Sequence, residues 1–440
     1  MILTLLLLLV PGNGITMVDV HRVGVLPFAN ANNDPSLDWL TQGIPETITS
    51  DLQAFRGMVL VERLQIRKVM DEQKLQHTGL IDEDAVVKLG RLIGANILVV
   101  GAFQKQGELI RLTARFVDVQ TGGIIQTAKS TGKMEDIFDL QDQIVQNLIK
   151  NLNIESKQGE LAKIGTRTSL EAYKHFGQGA LLQARKDYQG AAEEFGKAVK
   201  TDPAFTAAKE KFKEAFWSLN RNNYWAYAWV YASGKNLEED LKVVKSGEVV
   251  RHAGGKEYFD NKEVFTYIED SHVLMKDYEI IDTHTNYYMK GDEGIYDAGS
   301  RSVTNSRVGS STHVSKYDPL PLLFPYELKV GKEWKTTYKS YYSNNSHLVS
   351  NVEEVCKIVG KERISVPAGT FDCYIIERML AEKETEQAVR QWFSPGIGIV
   401  KIASTVNVKI SGDTKRAELM KRLVQARPQE LQLTKYHIEE

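Results

Sequence analysis

The stretch KLGRLIGANILVVGAF, Lys88 to Phe103, limits the possible folds more than any other, because it sets where glycines stand relative to a helix and a strand. A phosphate-binding turn needs glycines after a strand and before a helix, so that free N–H groups at the helix start face the anion. Here the order is reversed. The periodic run DEDAVVKLGRLI predicts a helix, Gly94 follows as its left-handed C-terminal cap, and NILVVGAF then reads as a strand. That strand continues through the turn QKQGEL into LIRLTARFVDV and, past QTGG, into IIQTAKST, a run of antiparallel hairpins. No nucleotide, and no other cofactor, is expected.

The flanking segments complete an α/β module over residues 21–155. RVGVLPFAN predicts a strand, Trp39, Leu40, Ile44, Ile48, Leu52 and Phe55 fall at helical spacing, MVLVER is a second strand, and QIRKVMDEQKLQ a charged helix. IFDLQDQIVQNLIKNL, apolar at Ile137, Leu140, Ile144, Leu148 and Leu152, closes the module, and KQGELAKIGTRTS reads as a linker.

Residues 168–232 predict helices, including FTAAKEKFKEAFWSLN with Phe205, Ala208, Phe212 and Phe216 on one face. From residue 235 to 412 the chain turns to strands rich in Tyr, Val, Ile and Thr, with turns at Pro367–Gly369 and at Gly396–Gly398, and residues 413–440 read as a tail. The fold class expected is α+β multidomain: an α/β domain, a short helical hairpin and an antiparallel β half-barrel.

With 55 Lys and Arg against 57 Asp and Glu, the net charge of -2 provides no basic surplus for a nucleic acid or an anionic membrane. The apolar run Leu5–Val10 is far short of the roughly 20 residues that cross a bilayer and suits a secretory signal over residues 1–16, its basic start missing or the start codon placed late. In an exported chain, Cys356 and Cys373, on strands either side of a turn, could form a disulfide; two separate buried thiols are the alternative. The nine histidines are scattered without metal-ligand spacing. Asp292, Glu293 and Asp297 in KGDEGIYDAG lack the pattern of a calcium loop and read as a solvated turn. No catalytic constellation is visible. Tyr224, Trp225, Tyr227, Trp229 and Tyr231 in NRNNYWAYAWVYASGKN form the candidate protein-interaction surface, with packing between domains as the alternative; on a helix these rings would cover every face.

The strings VERLQIRKVMDEQKLQHTGLIDEDAVVKLGRLIGANILVVGAF and IRLTARFVDVQTGGI resemble the CsgG family of curli secretion proteins. That resemblance implies an envelope location and the capacity for a homo-oligomer. CsgG channels insert long hairpins into this sheet, however, and the short QKQGEL turn leaves no room for one, so membrane association is expected to be peripheral at most. Gly179, Tyr188, Ala191, Phe195, Ala198 and Pro203 stand where a tetratricopeptide repeat places its small, aromatic and proline positions. VGKEW, VPAGTFDCY and WFSPGIGIVK resemble periplasmic β domains of the lipoprotein-carrier kind, whose concave face shelters an acyl chain. The expected function is non-enzymatic protein association with envelope partners in secretion or outer-membrane assembly, the alternative being a periplasmic lipid or glycan carrier.

Overall fold

The computed structural model describes residues 20–53, 55, 57–73, 83–150, 168–219, 223–230, 246–274, 279–306, 309–344, 346–382, 385–408 and 430–438. The expected signal segment, most of the linker, Tyr231 and residues 413–429 of the expected tail lie outside them. The chain divides into two units, Met1–Phe212 and Lys213–Glu440.

The first unit runs β1 (His21–Val25), β2 (Ala29–Asn30), α1 (Leu40–Gln53), β3 (Met58–Leu60), α2 (Arg63–Glu72), α3 (Glu83–Leu92), β4 (Ile97–Gln106), β5 (Leu109–Asp118), β6 (Ile124–Lys133) and α4 (Ile137–Ile149). The strands form one sheet in the order β3-β1-β4-β5-β6, with β2 also on β4. Pairings among β1, β2, β3 and β4 are parallel, whereas β4, β5 and β6 are antiparallel neighbours. Gly94 ends the α3 segment at φ +68°, the left-handed conformation its position predicts. Ile66 and Met70 of α2 and Val86 and Leu89 of α3 pack with Leu98, Val100 and Val117 of the sheet, an apolar layer that contributes about 1.5–3 kcal/mol per large side chain removed from water. Gln106 of β4 and Leu109 of β5 are register partners across a two-residue turn, so no further hairpin is inserted there.

Three helices follow, α5 (Leu170–Ala184), α6 (Tyr188–Thr201) and α7 (Thr206–Phe216). Side chains of Ser169 and Asp187 cap the first two, accepting from Ala172 N and Gly190 N. Tyr173 anchors α5 within the first unit: its buried hydroxyl lies 3.2 Å from Thr47 Oγ1 of α1 and 3.1 Å from Gln141 Nε2 of α4. Its ring meets Trp39 edge-on with centroids 5.4 Å apart.

The second unit contains β7 (Tyr224–Val230), β8 (Ser246–Phe259), β9 (Lys262–Leu274), β10 (Glu279–Lys290), β11 (Gly294–Ser306), β12 (Gly309–Asp318), β13 (Leu322–Pro325), β14 (Glu333–Asn344), β15 (Ser346–Val366), β16 (Gly369–Ala381), β17 (Thr385–Ser394), β18 (Gly398–Val408) and β19 (Glu430–His437). Strand order is β10-β9-β8-β7-β19-β18-β17-β16-β15-β14-β12-β11-β13, and β10 also pairs with β11. That last pairing closes twelve strands into a barrel, with β13 attached to β11. The expected half-barrel is corrected by this closure, and the reason is local. YWAYAWV is a strand and not a helix, part of the expected tail is the strand ELQLTKYH, and these two pair with each other to bridge β8 to β18. Closure removes the free edges that an open sheet would expose.

Candidate functional site

Period-two alternation in β7 separates the aromatic residues that a helix would have spread over every face. Trp225 and Tyr227 are fully buried, Trp225 Nε1 donating to Ile397 O at 2.7 Å and the Tyr227 hydroxyl to Ile399 O at 2.8 Å. Tyr224, half-buried on the opposite face, stacks on His437 with centroids 5.7 Å apart. Backbone pairing places Trp229 opposite Gly247 and Leu431. Trp225 and Tyr227 are therefore core residues of the barrel, which corrects the reading of these two as part of an exposed interaction surface. The Tyr227 hydroxyl lies 3.4 Å from that of Tyr267, and Trp225 joins Trp217, Tyr267, Tyr288, Phe324 and Phe393 in one aromatic cluster. Gly398 makes room for it: at φ +103° a Cβ there would lie 2.5 Å from Trp217 Nε1.

The two cysteines are free and buried, not bridged. Register sets Cys356 opposite Arg378 and Cys373 opposite Glu362, five positions apart along β16. At roughly 3.3 Å per residue that is about 16 Å, far beyond the reach of a disulfide. Burial pushes both thiols up to about 12. In the α5–α6 hairpin the structure brings Gly179 against Phe195, where a Cβ would come within 2.7 Å of the ring, and buries Ala191 and Ala198. Tyr188 starts α6, and exposed Pro203 lies between α6 and α7.

The aromatic cluster identifies the inward phase of the barrel strands, and on that same phase stand charged residues the sequence reading passed over. Arg251 and Glu269 are register partners on β8 and β9, and Arg251 Nε donates to Glu269 Oε2 at 2.6 Å. The guanidinium carbon lies 5.0 Å from the centroid of Tyr227 and 5.9 Å from that of Tyr267. Across the ring, Arg378 of β16 donates through Nε to Glu354 Oε1 of β15 at 2.7 Å. Glu354 also accepts from Cys356 Sγ at 3.3 Å and from the Tyr338 hydroxyl at 3.4 Å. Asp297 of β11 pairs with Tyr288 of β10 in the ladder, and its Oδ1 accepts from Gly299 N at 3.0 Å. It is half-buried in the barrel wall, which corrects its reading as part of a solvated turn, whereas Asp292 and Glu293 are exposed as expected. Burial lifts the Asp297 carboxyl to about 7, against the Gly299 N–H and Arg378, with Glu354 adding to the rise. Tyr288 lies close enough to feel Asp297, Arg251, Arg378 and Glu269; burial first, then Asp297, raises its phenol.

A signal for these residues was present. In NVEEVCKIV, Glu354 shares its phase with Val352, Cys356 and Ile358, while Glu353 and Lys357 take the other. Lys335 pairs with Glu353, Lys357 with Glu333, Arg390 with Glu377 and Lys401 with Glu430 on the outer wall. Such a charged wall is costly to embed in hydrocarbon. Among the described residues no group of three His, Cys, Asp or Glu side chains is placed to hold a metal, and no helix is long and apolar enough to cross a membrane.

Comparison with known proteins matches residues 20–105 to the family described as curli production assembly/transport component CsgG. Residues 323–407 match a family described as DUF3108-like. A Rhizobium meliloti (strain 1021) protein provisionally named adenylate cyclase 3 is 26% identical over 153 residues, 34% of this chain and 24% of that protein, so the match spans about a quarter of that relative's length. The LpoB C-terminal domain from Salmonella enterica is similar at 19% identity and TM-score 0.23, covering 26% of this chain and 84% of that one. A Bacteroides fragilis protein provisionally described as exported, with a YmcC-like fold, is similar at 12% identity and TM-score 0.24 over 50% of this chain and 97% of its own. The chain thus joins a region similar to CsgG, which points to the cell envelope, to a closed antiparallel barrel that includes a DUF3108-like region.

Proposed function

We propose that this protein is a non-enzymatic component of the cell envelope, periplasmic or peripherally associated with the outer membrane, acting by protein association in outer-membrane assembly or secretion. The observation that carries this reading is the CsgG match over residues 20–105, on a sheet whose β4–β5 connection is a two-residue turn. Without inserted hairpins, such a module offers surfaces for partners and no pore of its own. The α5–α6 hairpin, with Gly179 against Phe195, supplies one tetratricopeptide-like unit, and a homo-oligomer fits the CsgG likeness. Fractionation with N-terminal sequencing, followed by crosslinking and capture from envelope extract, tests it. Recovery in the envelope fraction with a reproducible envelope partner, or a second copy, is expected; a cytosolic protein that captures neither refutes it.

A second reading is favoured by the barrel. Eight strands enclose a space that side chains fill or that holds one small ligand, and twelve enclose more. The β domain then acts as a periplasmic carrier. Charged pairs on its inward phase weigh against an acyl chain as cargo, because an apolar ligand would strip them of water without replacing its hydrogen bonds.

A further inference from the structure

Strand β6 ends the first sheet, and among the described residues it pairs with β5 alone. From Gln126 to Lys133 its ladder to β5 is unbroken, which leaves an outer edge roughly 26 Å long. One side of this strand is packed against α4. Gln126 Nε2 donates to Asn147 O at 3.1 Å, Ser130 Oγ donates to Gln143 Oε1 at 2.6 Å, and a Cβ on Gly132 would meet Leu140 at 2.9 Å. Alternation puts Thr127, Lys129, Thr131 and Lys133 on the other side, where all of them are exposed. From β5, Arg115 stands opposite Thr127 and exposed Arg111 opposite Thr131. The segments LIRLTAR and TAKSTGK that build this face carry Arg111, Arg115, Lys129 and Lys133 and no acidic residue. Backbone direction alternates in the same way. Met134 N–H points to β5, donating to Glu108 O at 3.3 Å, so the N–H and C=O groups of Lys133, Thr131, Lys129 and Thr127 point out from the sheet edge.

We propose that β6 accepts an added strand from a protein partner, an extended peptide with acidic residues at alternate positions. The outward N–H and C=O groups hold its backbone, and every second side chain falls beside Thr127, Lys129, Thr131 and Lys133. Carboxylates there become cross-strand partners of Lys129 and Lys133, with Arg111 and Arg115 one strand further in. Lysines on an edge deter pairing, and these deter a neutral strand or a second copy, which would bring its own Lys129 and Lys133 to the same face. The strand they favour carries the opposite charge. A polyanion without a peptide backbone would meet the cations but leave the edge groups unused. Lys133 also lies 3.3 Å from Glu135, but both side chains are more than half exposed, so this contact competes weakly. The lysines and the outward backbone groups are already at the surface, so the peptide reaches them without rearrangement of the sheet.

This inference deepens the protein-association reading and rests on it. The full chain is titrated with a labelled peptide alternating Glu and Thr, with its Lys and Thr counterpart, with a peptide of the same Glu and Thr content in two blocks, and with dextran sulfate. Two variants accompany it, Lys129→Glu/Lys133→Glu and Thr131→Pro. Proline at position 131 removes an outward N–H, keeps the charges and the β5 ladder, and is tolerated on an edge strand. Circular dichroism checks that each variant is folded; charge reversal at two exposed lysines serves where the proline variant does not fold. Binding of the alternating Glu and Thr peptide, weakened at least tenfold by either folded variant, is the expected result, with the charge-reversed protein preferring the Lys and Thr peptide. Equal binding of the block peptide or dextran sulfate, unaffected by Thr131→Pro, makes the face a simple anion surface and overturns the inference. A wild-type dimer in sedimentation that Thr131→Pro dissolves assigns the edge to a second copy and overturns it as well. No peptide binding also overturns it; capture of an envelope partner by wild type and both variants alike then leaves the association reading standing, and its loss refutes both.

Discussion

A carboxyl that titrates near neutrality inside the barrel makes stability depend on pH, and Asp297→Asn isolates that dependence. Arg378, Glu354, Tyr288, Tyr317 and Tyr338 are the titratable groups that sense Asp297 from the neighbouring strands. Its pKa rises from 3.8 to about 7 in the folded chain, chiefly through burial. A raised folded value means that the native state holds the proton more tightly than the unfolded chain does. This stabilisation is complete below pH 3.8 and is lost as the pH rises to about 7. At 1.36 kcal/mol per pH unit the loss is about 4 kcal/mol. For a unit the size of Lys213–Glu440, where 1 kcal/mol moves the midpoint by about 2–4 °C, that corresponds to about 8–16 °C. Asn keeps an oxygen to accept from Gly299 N and cannot ionise. Thermal unfolding followed by near-ultraviolet circular dichroism, between pH 4 and 8, should show wild type and variant close together at pH 4. They should separate as pH rises, the variant becoming the more stable. Other titrating groups move both curves alike, so the difference between them is the diagnostic; parallel curves would refute the reasoning.

Gly398→Ala should cost about 1–3 kcal/mol through overpacking, because its Cβ would meet Trp217 Nε1 at 2.5 Å, and tryptophan fluorescence in a urea titration reads the loss. Tyr173→Phe leaves Thr47 and Gln141 without their buried hydroxyl partner and should cost the first unit about 1–3 kcal/mol, measured as a lowered denaturant midpoint without a changed slope. Both thiols should resist a thiol reagent in the native protein and react once it is unfolded, with no mass change on reduction; a two-hydrogen mass gain would mean a disulfide.

Local order along the chain was enough to determine the antiparallel part of the first sheet, β4 to β6. Gly94 after a helix and before NILVVGAF could only be a cap, and short turns at QKQGEL and QTGG left consecutive strands no choice but antiparallel pairing. Hairpin partners are neighbours in sequence, so pattern and turn chemistry specify them. The barrel's closure was not available in that way. Its decisive pair joins Tyr224–Val230 to Glu430–His437 across some two hundred residues, and neither segment announces its partner. Isolated, YWAYAWV is apolar enough to pass for a buried helix, and ELQLTKYH for the end of a tail; each becomes a strand because the other, with β8 and β18, satisfies its backbone groups. The charged interior is a consequence of the same closure. Arg251, Glu269, Asp297, Glu354 and Arg378 lie on five strands, and alternation shows only which face each residue takes. Only a closed ring turns that face into an interior, where burial and opposing charge give these side chains their chemistry.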